Sequence, residues 1–139
     1  MEPLCPLCGS HLIHEIRPRA INYREHTTII AQIADYCDDC GEAFLSHTDS
    51  KSTEKEITDF KLKIDHLLTS DEIKAIRRKH KMTQKQAATF FGGGVNAFSK
   101  YERGEAIQSR STDLILRMLA DNHVTMATLI AVSQDHSPA

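Results

Sequence analysis

The sequence predicts an α+β domain, a small antiparallel sheet plus a helix, followed by an all-α domain of five helices that contains a helix-turn-helix. Two C-x-x-C pairs in the first 40 residues flank segments rich in β-branched residues, which predict the sheet. Two helix-capping sequences and a run of three glycines predict the helix-turn-helix further along the chain. We place the boundary between residues 67 and 68, so the predicted domains span 1–67 and 68–139.

The composition is that of a globular protein, with 139 residues, 40% hydrophobic and 26% charged. No apolar run approaches the ~18 residues of a membrane span, and the N-terminal residues lack the basic region and apolar stretch of a signal peptide. We therefore expect a cytoplasmic protein. In the cytoplasm its four cysteines should be reduced or metal-bound rather than joined as disulfides.

Charge is distributed unevenly along the chain. Residues 1–69 carry 7 Lys or Arg against 12 Asp or Glu, whereas residues 70–110 carry 9 against 4. Such an asymmetry indicates two modules with different partners, the second of them binding nucleic acid. Solvated helix faces produce the same asymmetry, so it supports a DNA-binding function only together with a motif.

The cysteines form two pairs, Cys5 with Cys8 and Cys37 with Cys40, separated by 28 residues. Each C-x-x-C places two thiolates on one tight turn, and two such turns complete the tetrahedral shell of a Zn²⁺ ion. A glycine follows each pair and lets the backbone fold back under the metal. Because a sheet of about 40 residues buries too little apolar area to be stable alone, we expect one structural Zn²⁺ per chain, inseparable from the fold.

Redox and catalytic roles are the alternatives for this cysteine set. A catalytic zinc keeps an open coordination position, and four cysteines fill the shell. A thioredoxin-like C-x-x-C would open a helix in a βαβ pattern, which the sequence lacks. His11 and His14 lie near the first pair and could replace a ligand, although a surface position is the simpler interpretation of each. No nucleophile–base pair is apparent either, so we predict that the protein is not an enzyme.

The segments between and after the cysteine pairs predict the rest of the first domain. HLIHEIRP and TTIIAQIADYC are rich in β-branched residues, which favours strands, and GEAFLSHTDS predicts a strand end and a turn. In STEKEITDFKLKIDHLL, helical spacing relates Ile57, Phe60, Ile64 and either Leu67 or Leu68. We expect an amphipathic helix that packs on the sheet or connects to the second domain.

The second domain is predicted to begin with two capped helices. TSDE (69–72) and TQKQ (83–86) each place a hydroxyl at the N-cap, with Glu or Gln three residues later. A basic run over residues 77–81 lies at the end of the first of these helices. It either complements the helix dipole or contacts DNA phosphates.

Three consecutive glycines follow the second capped helix. Each interior glycine costs a helix roughly 1 kcal/mol relative to alanine, so three of them should end it. We expect Gly92 to end the helix in a left-handed conformation, and Gly93 and Gly94 to let backbone amides approach a phosphate. A flexible linker is disfavoured because apolar periodicity continues on both sides. A P-loop is disfavoured because no Gly-Lys-Ser/Thr follows.

The helix after the glycines is predicted to carry the side chains that read DNA. In VNAFSKYERG, Phe98 and Tyr101 should face the core, and Gly104 should cap the helix. Asn96 and Lys100 lie one turn apart on the other face, where asparagine can pair with adenine and lysine with guanine. Exposure to solvent alone is the simpler interpretation. The predicted DNA-binding residues are Asn96, Lys100, Ser99, Gln84, Lys85, Gly94 and Arg103.

Two more helices are predicted to complete the domain, each with one apolar stripe facing the core. The stripe residues are Leu114, Ile115, Met118 and Leu119 in the first helix, and Met126, Leu129 and Ile130 in the second. An apolar excess in this region would also suit the interface of a two-fold homodimer. The tail, residues 133–139, is predicted to be disordered.

The segment TQKQAATFFGGGVNAFSKYERG resembles the Xre/Cro-type helix-turn-helix, whose common form ends in Tyr-Glu-x-Gly. The triple glycine followed by VNAFSKYE, together with the N-terminal C-x-x-C pairs, resembles the MqsA-type antitoxins, which combine a YgiT-type zinc finger with an Xre/Cro-type helix-turn-helix. The resemblance covers nearly the whole chain in the same domain order. The two motifs together are more specific than either alone.

The resemblance implies a type II toxin–antitoxin system. In that family the N-terminal zinc domain neutralises MqsR, an mRNA-cleaving toxin, and the C-terminal domain dimerises and represses its own operon by binding a palindrome. By position, the four cysteines would hold zinc, and Asn96 and Lys100 would read bases, which places the protein at the nucleoid when it is bound to DNA. Lys100 stands where arginine is expected. Lysine lacks arginine's planar fork, which affects the base preferred there.

Two functions remain open from the sequence. The first is an antitoxin that also represses its own operon. The second is a stand-alone Xre-type transcription regulator whose zinc module responds to metal or oxidant. An adjacent reading frame that encodes a small basic ribonuclease would favour the first, and operator binding that changes with zinc or thiol oxidation would favour the second.

Overall fold

The computed structural model of the chain describes residues 3–135. These residues fall into two compact units, the first ending at Lys61 and the second beginning at Leu62. The boundary predicted from the sequence, between residues 67 and 68, lies six residues further along the chain. Among the helices of the described residues, none is both long and apolar enough to cross a membrane.

Within residues 3–135, three strands precede six helices, and the sheet order is β1-β2-β3. The strands are β1 (Ile13–Tyr23), β2 (His26–Tyr36) and β3 (Ala43–Phe44), and the helices are α1 (His47–Ile64), α2 (Ser70–Lys79), α3 (Gln84–Phe91), α4 (Ala97–Arg103), α5 (Arg110–Ala120) and α6 (Met126–Asp135). The predicted fold class is confirmed, because the antiparallel sheet and one helix come first and five further helices follow. Of the tail predicted to be disordered, residues 133–135 end α6, and residues 136–139 lie outside the described residues.

A tight hairpin joins the two long strands. Tyr23 pairs with His26, so the loop consists of Arg24 and Glu25, whose φ angles are 47° and 68°. Positive φ at both central residues is typical of the hairpin turn whose twist matches that of the strands. β1 continues five residues beyond the predicted strand segment and passes through Pro18, which an edge strand tolerates.

The inner face of the sheet buries Ile21, Ile30 and Ala34 around a polar centre. Gln32 is 1% exposed, and its amide oxygen accepts hydrogen bonds from Arg19 (3.0 Å) and Thr53 (2.8 Å). Its amide nitrogen donates to the carbonyl oxygens of Asp49 (3.0 Å) and Ile33 (2.9 Å). These bonds connect β2 to α1. A polar centre of this kind stabilises a small unit less than an apolar core of the same volume.

Helix α1 begins and ends earlier than the apolar pattern predicts. Ser46 and Asp49 cap its N-terminus reciprocally, each side chain accepting the backbone N–H of the other at 3.1 Å. The helix ends at Ile64, and His66 has a left-handed φ of 59°. The prediction that Leu67 or Leu68 continues the helical stripe is therefore wrong.

The helical unit has a hydrophobic core to which all five of its helices contribute. Ile73 of α2, Ala87 of α3, Phe98 of α4 and Leu116 of α5 have no exposed surface. Leu129 of α6 packs against them while partly exposed. Both predicted capping boxes are present at the starts of α2 and α3. The small side chain of Ala87 lets α3 approach its neighbours closely.

The predicted apolar stripe of α5 is partly wrong. Leu119 is buried as predicted, but Leu114 is 52% exposed and Met118 is 41% exposed. Leu116, which the predicted stripe omits, is also fully buried, and Asp113 is buried beside it on the same side of the helix. The helix is thus rotated away from the orientation that its apolar residues alone predict, because the core side includes an aspartate.

The predicted stripe of α6 holds for Met126 and Leu129, which pack against the core. Ile130 is instead 41% exposed and Val132 is 51% exposed. The last two helices therefore present apolar side chains to solvent in addition to those that they bury.

Asp113 is buried because three donors surround its carboxylate. The backbone N–H of Leu68 donates to it at 2.8 Å, the amide of Gln108 at 2.9 Å and the guanidinium of Arg117 at 2.8 Å. Burial by itself would raise the pKa of Asp113, but these hydrogen bonds outweigh it and lower the pKa below its usual range. The carboxylate connects the segment before α2 to α5.

Asp113→Asn is expected to destabilise the helical unit by roughly 1–3 kcal/mol at neutral pH, because hydrogen bonds to a charged acceptor are lost. A lowered pKa in the folded state means that ionised Asp113 stabilises the unit above its unfolded pKa of about 3.9, and that this contribution disappears as the pH falls through the folded value. The difference in unfolding free energy between the two proteins should therefore shrink below about pH 4. Urea unfolding followed by NMR signals of Leu116 measures it, and a difference independent of pH would contradict the prediction.

Candidate metal centre and nucleic-acid interface

The two cysteine turns share one backbone conformation. In the first, the N–H of Cys5 donates to the carbonyl of Ser10 (2.7 Å), and the N–H of Gly9 donates to the carbonyl of Cys5 (2.8 Å). The corresponding bonds around Cys37 are both 2.9 Å. Gly9 and Gly41 have φ angles of 80° and 79°, which favour glycine. Each pair is therefore presented by a folded turn of its own.

The four sulfur atoms converge to the size of a metal shell. All four lie within 4.8 Å of one another, with 3.7 Å between Cys5 and Cys40 and 3.5 Å between Cys8 and Cys37. A tetrahedral ion with metal–sulfur bonds of about 2.3 Å requires sulfur–sulfur distances of about 3.8 Å. The thiols are free rather than disulfide-bonded. The site therefore fits an ion held by four thiolates, drawn from both turns.

The pKa values of two of these thiols are shifted in opposite directions. Hydrogen bonds from the side chain and backbone of Ser10, and then from Cys37, lower the pKa of Cys8 to about 6. The backbone of Glu42 favours the Cys40 thiolate, but burial and hydrogen bonds with the other three cysteines outweigh it and raise the pKa of Cys40 to about 12. Four adjacent thiols cannot all ionise unless a cation compensates their negative charges, and a divalent metal ion is such a cation.

Neither nearby histidine belongs to the sulfur cluster. Within residues 3–135, the group of convergent ligands consists of the four cysteines. The Nδ1 of His14 lies 2.7 Å from a carboxylate oxygen of Asp35 on the neighbouring strand. The hypothesis that His11 or His14 replaces a cysteine is therefore not supported. A shell of four protein ligands leaves no open position for substrate, so the donor set suits a structural ion.

The three glycines form the turn between α3 and α4, but not in the predicted conformation. Their φ angles are 86°, 93° and 98° for Gly92, Gly93 and Gly94. Gly92 has a ψ of −170°, so it lies outside the left-handed helical region that was predicted for it. A Cβ on Gly93 would lie 3.2 Å from both the Cβ of Ala97 and the hydroxyl of Tyr101. The absent side chain therefore lets the turn pack against α4.

The two residues predicted to read bases are exposed, one immediately before α4 and one within it. Phe98 is fully buried and Tyr101 packs against the core, as predicted. Asn96 and Lys100 are exposed. The helix begins at Ala97, so Asn96 is its N-cap rather than an interior residue, and its side chain makes no capping bond. Its amide is therefore not used to cap the helix.

The other predicted DNA-binding residues differ in their exposure and in their side-chain contacts. Lys85 and Gly94 are exposed. The hydroxyl of Ser99 accepts a hydrogen bond from Arg103 (2.6 Å), and Arg103 also forms an ion pair with Glu105 (2.9 Å). Gln84 is half-buried and donates to Glu102 at 3.3 Å. The structure thus leaves Lys85 and Gly94 exposed and engages Ser99, Arg103 and Gln84 in contacts within the unit.

One member of the basic run is buried. Arg77 is 8% exposed and donates from Nε and Nη2 to the two carboxylate oxygens of Glu102, both at 2.8 Å. Its Nη1 donates to the carbonyl of Met82 at 2.8 Å. The hydrogen bonds that Arg77 donates to the Glu102 carboxylate raise the pKa of Arg77, which stays charged. The phosphate-contact interpretation is therefore wrong for Arg77, whereas Arg78 and the lysines of the run are exposed.

The four-cysteine centre in one unit and the helix-turn-helix in the other define a two-domain protein of the metal-finger and helix-turn-helix class. Residues 3–129 match the family model described as the antitoxin component of bacterial toxin–antitoxin system, MqsA. The chain is also similar to Antitoxin MqsA of Escherichia coli (strain K12), with 34% identity over 122 residues that cover 86% of this chain and 92% of that protein. The protein belongs to the MqsA antitoxin family, which confirms the resemblance stated from the sequence.

Proposed function

We propose that this antitoxin has two activities. Its N-terminal unit neutralises a cognate, MqsR-like toxin that cleaves mRNA, and its helix-turn-helix represses its own operon by binding DNA. Family membership supports the first activity. The second is carried by one observation, the exposure of Asn96 and Lys100 beside the glycine turn. The protein is not an enzyme in this proposal, because its metal shell is complete.

Base recognition in this proposal depends on Asn96 and Lys100. An asparagine amide can both donate to and accept from adenine, and an ammonium group can donate to O6 and N7 of guanine. Lys85 contributes a phosphate contact, and the backbone at Gly94 approaches the DNA because no side chain intervenes. Ser99, Gln84 and Arg103 complete the proposed DNA-binding set, and each also makes a hydrogen bond or ion pair within the unit.

The operator in this proposal is a palindrome bound by a homodimer. A two-fold dimer presents its recognition helices to half-sites separated by about 34–36 Å, one turn of DNA. The exposed apolar residues of the last two helices, among them Leu114 and Met118, supply a surface for the second copy. Such a surface is typical of a dimer interface because its burial excludes water from both copies at once.

The metal in this proposal is one structural Zn²⁺ per chain. Four thiolates in a tetrahedral arrangement favour zinc among the common divalent ions, because soft sulfur ligands suit it and it has no geometric preference of its own. When bound, the ion supplies charge compensation for the cysteines and joins the two turns. Cys5, Cys8, Cys37 and Cys40 would hold it.

Co-expression tests the proposed function. The protein encoded by the adjacent reading frame should arrest growth when expressed alone, and the antitoxin should restore growth and co-purify with it in a stable complex. A stand-alone regulator would bind its promoter without restoring growth, and its DNA binding would change when zinc is removed. Promoter binding that depends on zinc, without restored growth, would contradict the antitoxin proposal.

Asn96→Ala is expected to weaken binding to the operator by roughly 5- to 150-fold, the equivalent of about 1–3 kcal/mol for one base contact. Affinity for random DNA of the same length should hardly change, because that binding depends on phosphates. Fluorescence anisotropy with both duplexes at one salt concentration measures the two affinities.

Lys85→Ala is the matched control for Asn96→Ala. A phosphate contact contributes to every sequence, so this variant should lose affinity for the operator and for random DNA alike, and its binding should depend less on salt. An equal loss on both duplexes for Asn96→Ala would make Asn96 a backbone or structural contact, contrary to the proposal.

A further inference from the structure

The β1–β2 hairpin has an apolar strip on the face turned away from α1. Three successive cross-strand pairs form it, and side chains of paired residues lie on the same side of a sheet. The members of the strip are Ile16 with Ile33, Pro18 with Ala31, and Ala20 with Ile29. The buried residues Ile30, Gln32 and Ala34 alternate with them along β2 and lie on the opposite face.

A hydrogen-bonded polar pair bounds the strip at each end. His14 and Asp35, the next pair on this face toward one end of the hairpin, are joined by a bond of 2.7 Å. Toward the hairpin turn, the hydroxyl of Thr27 donates to the side-chain oxygen of Asn22 at 2.6 Å. The face therefore has an apolar centre and a polar rim, which is the arrangement found in protein–protein interfaces.

The exposure of this strip is unusual for a sheet face open to water. Ile16 is 64% exposed and Ile29 is 67% exposed, whereas the solvated face of an antiparallel sheet is ordinarily polar. Four residues along a strand span about 14 Å, so Ile16 and Ala20 mark a continuous apolar surface rather than isolated side chains. Contiguous apolar surfaces of this kind mark interaction sites.

We propose that this apolar strip of the hairpin is the surface on which the cognate toxin docks. The inference rests on the proposed function, which assigns toxin neutralisation to the N-terminal unit but names no residues for it. In this proposal the toxin binds the face of the sheet rather than the edge of β1. Pro18 at the centre of that edge strand can donate no backbone hydrogen bond, which disfavours the addition of a toxin strand there.

Charge favours the toxin as the occupant. A protein that cleaves mRNA must hold phosphates and so carries cationic groups. Residues 1–69 of the antitoxin carry 7 basic against 12 acidic side chains, which attracts such a protein. A second copy of the antitoxin would bring two acidic units together, and the apolar surface proposed for dimerisation lies in the other unit. The toxin therefore complements this surface better than a second copy does.

The double variant Ile16→Glu/Ile29→Glu tests the proposal in the full-length, zinc-loaded protein. The probe is the purified protein encoded by the adjacent reading frame, and isothermal titration measures its dissociation constant. We expect binding to weaken at least about 100-fold, because two central apolar contacts are replaced by charges. Operator affinity and zinc content should stay at their wild-type values, because both substituted side chains are exposed.

Ile13→Glu is the matched control. Ile13 lies on the same strand but on the opposite face, and it is 41% exposed. The Ile13→Glu variant should bind the toxin with the affinity of the wild type. Ala20→Arg provides a second test if the double variant loses zinc, because it adds bulk and charge to the strip without removing an apolar side chain.

The outcomes separate this inference from the proposed function. If the wild type fails to bind the toxin, the proposed function fails. If the wild type binds and the strip variants bind equally well, the docking surface lies elsewhere and the present inference is overturned. A strip variant that changes only the dimer content in light scattering would make the occupant a second copy, which also overturns it.

Discussion

Cys37→Ser should unfold the N-terminal unit while the helix-turn-helix continues to bind its operator. Cys37 is 1% exposed and lies 3.5 Å from the sulfur of Cys8, so its loss removes one corner of the metal shell. Metal binding contributes on the order of 10–16 kcal/mol to small zinc domains, as much as the whole stability of a typical domain. The buried apolar side chains of this unit, Ile21, Ile30 and Ala34, surround the polar centre at Gln32 and are too few to compensate for that loss.

Metal analysis and NMR spectra check this prediction. Inductively coupled plasma analysis should find no zinc, and the dispersed NMR signals of β1 and β2 should collapse while those of the helical unit persist. Leu7→Ala is the control, because Leu7 lies between two ligands, is 68% exposed and holds no metal. An ordered sheet without metal, or an equal loss of operator binding, would be inconsistent with a metal-dependent unit that folds separately.

Arg77→Ala is expected to destabilise the helical unit by about 3–5 kcal/mol, because the buried Glu102 carboxylate loses its cationic partner and keeps only the 3.3 Å hydrogen bond from Gln84. The carbonyl of Met82 loses its donor as well. For a unit of this size the midpoint of thermal unfolding should fall by at least ~12 °C. Circular dichroism at 222 nm, which reports the helices, measures the change.

Arg103→Ala provides the matched comparison, since it removes the same side chain from an exposed ion pair. Arg103 pairs with Glu105 at 2.9 Å, and its side chain is 56% exposed, so the loss should be within about 1 kcal/mol. The double variant Arg77→Met/Glu102→Leu should recover most of the stability lost in Arg77→Ala, because neither charge then remains buried. Equal effects of Arg77→Ala and Arg103→Ala would refute the structural role of the buried pair.

Features set by neighbouring residues could be predicted from the sequence. The two cysteine pairs, the capping boxes that begin at Thr69 and Thr83, and the turn at the three glycines were all correctly located. Phe98 and Tyr101 were correctly assigned to the core because a spacing of three residues places them on the same face of a helix. Each of these signals depends on spacing within a few residues, which the sequence displays directly.

Features that depend on distant partners required the tertiary structure. Arg77 belongs to a basic run and resembles a phosphate ligand until Glu102, 25 residues away, is placed beside it. The Tyr-Glu-x-Gly motif typical of the Xre/Cro-type helix-turn-helix includes this glutamate, but spacing alone does not show its partner. Gln32 likewise becomes a structural centre only because Thr53 and Asp49 lie across from it.

The identity of the protein was contained in its local motifs, because metal ligands, helix caps and glycine turns operate over a few bonds or one helical turn. The orientation of α5 was not, because Asp113 faces the core only where Leu68, Gln108 and Arg117 converge to satisfy its carboxylate. The same limit applies to the apolar strip of the hairpin, whose residues become one surface through cross-strand pairing. Burying a charge or exposing an isoleucine is a balance of free energies among distant groups, and only the folded chain brings those groups together.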